Sequence, residues 1–227
     1  MGRQALISFI LAALAPAMAL FSYVYLRDSF SRGAMFLVLR IFIIGALLVL
    51  PISVIQFAFT EEAILAHSFL KAFLLYGLIE EGLKWLMLFI FAYQHGQLKQ
   101  PIDGIVFGVA LSLGFASVEN SLYMIAYGFD HVLPRTLLPT TAHAVYGIIM
   151  GYYVGRAKYH PSKKQLFLFL AAVLPMILHG SYDYILMDFG HYFLYLMIPF
   201  MIALWLLAIW KIKKANKLDE DEKSNLN

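Results

Sequence analysis

The sequence predicts an all-α membrane protein, a polytopic bundle of about seven transmembrane helices enclosing a polar cavity. Three observations carry that expectation. Hydrophobic residues make up 62% of the 227 residues and charged residues 14%, against roughly 45–50% and about 25% in soluble domains, and mean hydropathy is +0.76. Seven stretches reach the ~20 mostly apolar residues that a helix needs to cross a bilayer. Four consecutive stretches also carry ionisable side chains, which hydrocarbon penalises by about 2.5–3.5 kcal/mol each even on the most forgiving scale. A water-soluble fold of this size could not hide so much apolar surface, and disordered, collagen-like and nucleic-acid-binding classes are excluded. With no cysteine in the chain, disulfides, thiol nucleophiles and thiolate metal sites are excluded too.

In order, the expected spans are residues 5–26, 34–59, 70–93, 102–127, 137–155, 165–187 and 191–210. The short connections hold the Pro, Gly and charged residues of loops. Residues 1–210 therefore read as one transmembrane domain. Residues 211–227 read as a polar cytoplasmic tail, basic and then acidic, and expected to be solvated and partly disordered.

Orientation follows from the lysines and arginines. With the N-terminus outside, the cytoplasmic segments hold Arg27, Arg32, Lys99, Arg156, Lys158, Lys163, Lys164, Lys211, Lys213, Lys214, Lys217 and Lys223, and the outer ones only Arg3 and Arg135. That bias places the N-terminus outside and the C-terminus in the cytoplasm. Arg3, the following apolar run and Ala15-Pro-Ala-Met-Ala19 also resemble a signal peptide. Cleavage there would put Arg156 to Lys164 and the lysine tail outside, against the charge rule, so an uncut first helix is expected.

Glycines at helical spacing mark close packing: Gly104 and Gly108, then Gly147, Gly151 and Gly155. Helices packed within one chain explain them better than dimerisation. No internal repeat is evident, which weakens the case for a transporter built of inverted halves.

The third span carries Glu80, Glu81 and Lys84, the fourth Glu119 and Asn120, the fifth His143, and the sixth His179 and Asp183. Four helices cannot all point such groups at lipid, so the groups must face one another. Lys84 stands at i+4 from Glu80 and i+3 from Glu81 and can pair with either. His179 and Asp183, at i and i+4, share a face on which the aspartate can fix the imidazole tautomer. Glu80 and Glu81 point about 100° apart and should have different tasks. At about 1.5 Å per residue, all these groups fall near the midplane or in the outer half of the bilayer, so the cavity is expected to open outward.

Taken singly, each feature has a plain structural explanation. Glu–Lys could be a buried ion pair, His179–Asp183 an interhelical contact, and His143 a packed core histidine. Arg40 and Lys71 lie near span ends and should snorkel. His67, His95, His131, His160 and His191 fall at loops or boundaries. It is the convergence on four adjacent helices that packing alone does not account for.

Peptide hydrolysis needs an activated water and a donor for the tetrahedral oxyanion. Glu80 and Glu119 as a water-binding pair, with His179 held by Asp183, would meet those needs. So would a Glu/His metal site, although the absence of H-E-x-x-H excludes an ordinary zincin.

At these residues the chain resembles the PrsW family of intramembrane proteases, related to the CAAX-prenyl endopeptidase and bacteriocin-processing superfamily. The matching pieces are E-E-x-x-K at Glu80, Glu81 and Lys84, F-x-x-x-E at Phe115 and Glu119, and H-x-x-x-D at His179 and Asp183, with His143 between. The CAAX branch would have an arginine one position after Lys84 and a histidine where Glu119 stands. The resemblance implies a multi-pass protein of the bacterial plasma membrane that makes the first, extracytoplasmic-side cut in a single-pass anti-sigma factor, in a stress response. It further implies Glu80 as water-activating base, Glu81 paired with Lys84, Glu119 completing the water site, and His179, with His143, serving the oxyanion. No cofactor is expected, with a metal-assisted variant as the alternative. Partners would be the substrate and the bilayer, and no nucleic acid. The competing classes are a proton- or cation-coupled transporter and a scaffold that holds a partner helix. Clustering at one depth argues against a relay, which should span the bilayer.

Overall fold

The computed structural model describes residues 19, 32–61, 65–94, 98, 101–127 and 132–224. The expected first span, residues 5–26, lies outside them but for Ala19. Among the described residues every regular element is helical. The helices are α1 (Arg32–Glu61), α2 (residues 68–93), α3 (Pro101–Tyr127), α4 (Val132–Tyr159), α5 (Lys164–Asp188) and α6 (Phe193–Ser224). Single 3₁₀ turns, Pro161–Lys163 and Gly190–Tyr192, lead into α5 and α6.

Four of the six, α1, α3, α5 and α6, contain stretches long and apolar enough to cross a membrane: Met35–Thr60, Pro101–Ala126, Pro161–Asp188 and Gly190–Glu220. The other two are the helices that carry Glu80, Glu81, Lys84 and His143, whose polarity dilutes the apolar signal.

α3 and α4 form the centre. Ile105, Phe107 and Leu111 of α3 and Val145, Ile149 and Met150 of α4 are buried. Leu37 and Ile41 of α1 and Leu88 of α2 form one core cluster with Phe107, Leu111 and Met150, and Met197, Met201 and Leu204 of α6 form another with Ile105, Val145 and Ile149. Outer faces stay apolar, with Phe36 77% and Tyr195 82% exposed, as a lipid-facing surface requires. The expected glycine contacts are real: Gly104 meets Gly151 and Gly155, and Gly108 meets Gly147 and Gly151, backbone against backbone.

The tail departs from expectation. Instead of fraying after Trp210, α6 continues as helix to Ser224. Lys211, Ala215 and Asp219, spaced i, i+4, i+8, are buried. Lys211 Nζ donates to Tyr153 Oη at 2.7 Å and lies 4.6 Å and 4.3 Å from the ring centres of Tyr152 and Tyr153. Small Ala208 and Ala215 let the helix sit against the ends of α3 and α4, and that packing outweighs the polarity of the segment.

Candidate active site

The site is built on α2. Residues Lys71–Leu78 of this helix are π-helical, and regular α-helix resumes at Ile79. Such wide turns rotate the residues that follow relative to a straight helix and recur at functional positions. Close approach to α5 comes from glycine: a Cβ on Gly77 would lie 2.5 Å from the Met176 carbonyl oxygen and 3.1 Å from Gly180 N. One turn further along, Glu81 and His179 therefore meet.

Glu81 is 0% exposed, Lys84 0% and Glu80 2%. Lys84 Nζ donates to Glu81 Oε1 at 2.8 Å and reaches Glu80 Oε2 at 3.4 Å. It also stands 3.3 Å from His143 Nδ1 and 3.7 Å from the centre of the Phe115 ring. The ammonium thus has a carboxylate, an imidazole lone pair and an aromatic face around it.

His143 turns its other nitrogen to α3, with Nε2 3.0 Å from Glu119 Oε2. An Nε2–H tautomer satisfies both contacts: it donates to Glu119 and accepts from Lys84. His179 Nδ1 lies 3.1 Å from Glu81 Oε1 and its Nε2 3.2 Å from Asp183 Oδ2. Both of its nitrogens face carboxylates, a geometry suited to the doubly protonated ring. The two imidazoles meet edge to face at 5.1 Å, and Tyr146 stacks on His179 at 5.2 Å.

The seven ionisable residues singled out in the sequence therefore fall in one connected cluster, while Asn120 donates to Thr140 Oγ1 at 2.6 Å. Glu119 enters it through His143 rather than as a partner of Glu80. The polar groups pack directly onto one another, where the sequence had suggested a cavity. A groove of about 390 Å³ lies elsewhere, between α4 and α6, lined by residues such as Leu138, Met197 and Trp205. The cluster sits off-centre along the bundle: Glu119 is eight residues and His179 nine from the ends of α3 and α5 at Tyr127 and Asp188. Those ends belong to the side expected to face outward.

Two site residues escaped the sequence reading. Gln56 of α1 donates from Nε2 to Glu80 Oε1 at 2.8 Å. Tyr146 is buried beside both histidines, with no hydrogen-bond partner for its hydroxyl among the described residues, as also holds for Glu81 Oε2. Both are uncharged, and a search for ionisable groups passes over them. For Gln56, a lone glutamine in a span whose other polar side chains are Arg40 and Ser53 was the available signal.

The consecutive glutamates differ as their 100° separation predicts. Glu81 Oε1 takes two close donors, Lys84 and His179. Glu80 has one oxygen bound to Gln56, while its Oε2 lies 3.4 Å from Lys84 Nζ and 3.9 Å from His179 Nδ1, longer than good N–H···O bonds. Glu81 is bound to two cations through Oε1, with Oε2 buried and unbonded, whereas Glu80 has a neutral donor on one oxygen and only the long Lys84 contact on the other.

Glu80, Glu81, His143 and His179 each offer one ligand atom, all within 4.8 Å of one another. Two carboxylates and two imidazoles fit a divalent transition metal by type. An ion among them would displace the Lys84 ammonium from Glu81 and His143.

Membrane-length helices closing around a buried acid–base cluster define an integral membrane protein with the groups of a hydrolase. Residues 34–208 match the sequence profile described as PrsW family intramembrane metalloprotease. The chain belongs to the PrsW family and is a membrane-embedded protease. Over 212 residues, 93% of this chain and 99% of the relative, it is 72% identical to Protease PrsW of Shouchella clausii. It is 50% identical to Protease PrsW of Halalkalibacterium halodurans over 93% of this chain and 99% of that one. Against Protease PrsW of Bacillus subtilis the identity is 43%, over 93% of this chain and 97% of the relative. No solved structure matches.

Proposed function

We propose that the chain makes the extracytoplasmic-side cut in a single-pass membrane protein, an anti-sigma factor, using a water activated by Glu80. It would do so in the bacterial plasma membrane as a seven-span protein, with the N-terminus outside and the C-terminus in the cytoplasm. The observation that carries the mechanism is the unequal bonding of the paired glutamates: Glu80 Oε2 has no donor closer than 3.4 Å, while Glu81 Oε1 has two at 3.1 Å or less.

Glu80 Oε2 takes a proton from water as the water oxygen adds to the scissile carbonyl carbon. The carbonyl π electrons move to oxygen, and His179, kept on Glu81 through Nδ1–H, turns its Nε2–H from Asp183 to donate to that oxyanion. Collapse breaks the C–N bond, and the proton on Glu80 passes to the leaving nitrogen. The products are a carboxylic acid and an amine. Glu119 orients His143, and Lys84 balances Glu81. A divalent metal, if bound by Glu80, Glu81, His143 and His179, would supply Lewis acidity and lower the pKa of the attacking water. A substrate helix must unwind locally at the cut, since a hydrogen-bonded helix hides its peptide bonds.

The test is cleavage of a single-pass anti-sigma factor by purified protein in liposomes, with fragment masses locating the cut. Cleavage near the substrate's outer boundary, lost in Glu80→Gln, is expected. Full cleavage by Glu80→Gln, or a cut at the cytoplasmic boundary, would overturn the reading.

A further inference from the structure

Between Arg40 and Thr60, α1 carries two polar side chains, Ser53 and Gln56. A glutamine within a 26-residue apolar stretch, Met35–Thr60, is expensive unless its amide is bonded. Its bonds go to one place. Nε2 donates to Glu80 Oε1 at 2.8 Å and lies 3.5 Å from the carbonyl oxygen of Leu75. Leu75 belongs to the π-helical stretch just before Glu80, and it is buried.

We propose that Gln56 is a positioning residue for the reaction, tying Glu80 Oε1 to the π-helical turn of α2 so that Oε2 faces the water it deprotonates. The proposal rests on Glu80 being the base, as set out above. A carboxylate on a flexible side chain can rotate to present either oxygen. In this site Lys84 and His179 would compete for whichever oxygen of Glu80 turned toward them, as both bond Oε1 of Glu81, and an oxygen that accepts short bonds from two cations is a poor base. The Gln56 amide fixes Oε1 and leaves Oε2 with only the long 3.4 Å contact from Lys84. Because the amide is neutral, it does so without a second positive charge that would weaken the base. Gln56 also comes from a different helix than any other member of the site. Glu80 is thereby braced from α1, while Lys84, His143 and His179 act from α2, α4 and α5.

The experiment compares wild type, Gln56→Met, Glu80→Gln and the double variant in liposomes, with one quenched-fluorescence single-pass substrate. kcat, KM and thermal unfolding in detergent are read for each. Methionine keeps the length and helix propensity of glutamine and removes the donor. Gln56→Met is expected to lower kcat about 10- to 100-fold, as misplacement of a reacting group by about 1 Å does. KM should stay within about twofold and unfolding be unchanged. The double variant should be no slower than Glu80→Gln alone, because Gln56 acts only through Glu80. Gln56→Asn, which keeps a donor one methylene shorter, should recover part of the loss. An unchanged kcat in Gln56→Met overturns the proposal, as does a loss that tracks a lowered unfolding temperature or a rise in KM at constant kcat. Full activity in Glu80→Gln is a separate result that overturns the choice of base itself.

Discussion

The ammonium of Lys84 lies 2.8 Å from Glu81 Oε1, and neither side chain is reached by solvent. Charges buried to that degree hold each other in place. Replacing both with apolar groups can cost little, whereas removing one strands the other at about 3–5 kcal/mol. Glu81 also accepts from His179 at 3.1 Å, so three helices' worth of site geometry hangs on it: α2 directly, α5 through His179 and α4 through Lys84 and His143. Its neighbour Glu80 takes one short bond, from the neutral Gln56 amide of α1, and has no charged partner closer than 3.4 Å.

The two glutamates should therefore fail differently. Glu80→Gln should cut kcat by about 10²–10⁴-fold, the range for loss of a general base, with unfolding unchanged. Glu81→Gln should lose activity and also destabilise the fold by about 3–5 kcal/mol. Adding Lys84→Met to Glu81→Gln should restore much of that stability and none of the activity. Thermal unfolding in detergent beside liposome cleavage measures both. Equal stability loss in the two single variants would undo the division of roles.

The contacts within one helix were legible in the sequence because helical spacing fixes what neighbours can reach: i,i+3 and i,i+4 brought Lys84 to both glutamates and Asp183 to His179. Contacts between helices were not legible. Nothing in the periodicity of α4 says that His143 meets Glu119 on one side and Lys84 on the other. The π-helical turn before Glu80, which sets the rotation of everything after it, has no residue signature in Lys71–Leu78. Gln56 was passed over because an amide costs less in hydrocarbon than a charge and so draws less notice. The tail misled for the converse reason. Its charges suggested solvent, but the i,i+4 row of Lys211, Ala215 and Asp219 gave it a buried face.

Gly151 tests the glycine packing that sets the distance between α3 and α4. A Cβ there would run into the Gly104 carbonyl and come within 2.7 Å of Ile105 Cα, and backbone cannot yield as a side-chain tip can. Gly151→Ala should cost about 1–3 kcal/mol, as overpacking does. Cleavage should fall as well, since Glu119 on α3 and His143 on α4 would be pushed apart. Gly190→Ala is the control: nothing lies within 4 Å of its Cβ position, and both readouts should match wild type.

Lys211 anchors the last helix. Its ammonium is surrounded by the rings of Tyr152, Tyr153 and Trp210 at 4.3 to 4.6 Å, each desolvated cation–π contact contributing about 0.5–2 kcal/mol. Lys211→Met keeps the aliphatic stem and removes the charge. Trypsin should then cut at Lys213 and Lys214 several-fold faster than in wild type, with substrate cleavage unchanged. Equal trypsin rates would mean that Ala208 and Ala215 hold the helix unaided.

Metal dependence separates two ways of activating the water. Glu81 Oε1 and His143 Nδ1 are both occupied by Lys84, at 2.8 Å and 3.3 Å, and both nitrogens of His179 face carboxylates. An incoming ion must therefore compete with an ammonium tethered to the same helix and strip at least one proton from the cluster. With Glu80 as base, protein dialysed against a strong chelator should keep its cleavage rate, and elemental analysis should find well below one transition-metal ion per chain. The Lys84→Met variant, with the competitor gone, should bind zinc more tightly than wild type, measured by a zinc-indicator titration. Loss of cleavage on dialysis, restored by one metal at one equivalent per chain, would instead assign Glu80, Glu81, His143 and His179 as its ligands. Lys84 would then be a group that metal binding displaces.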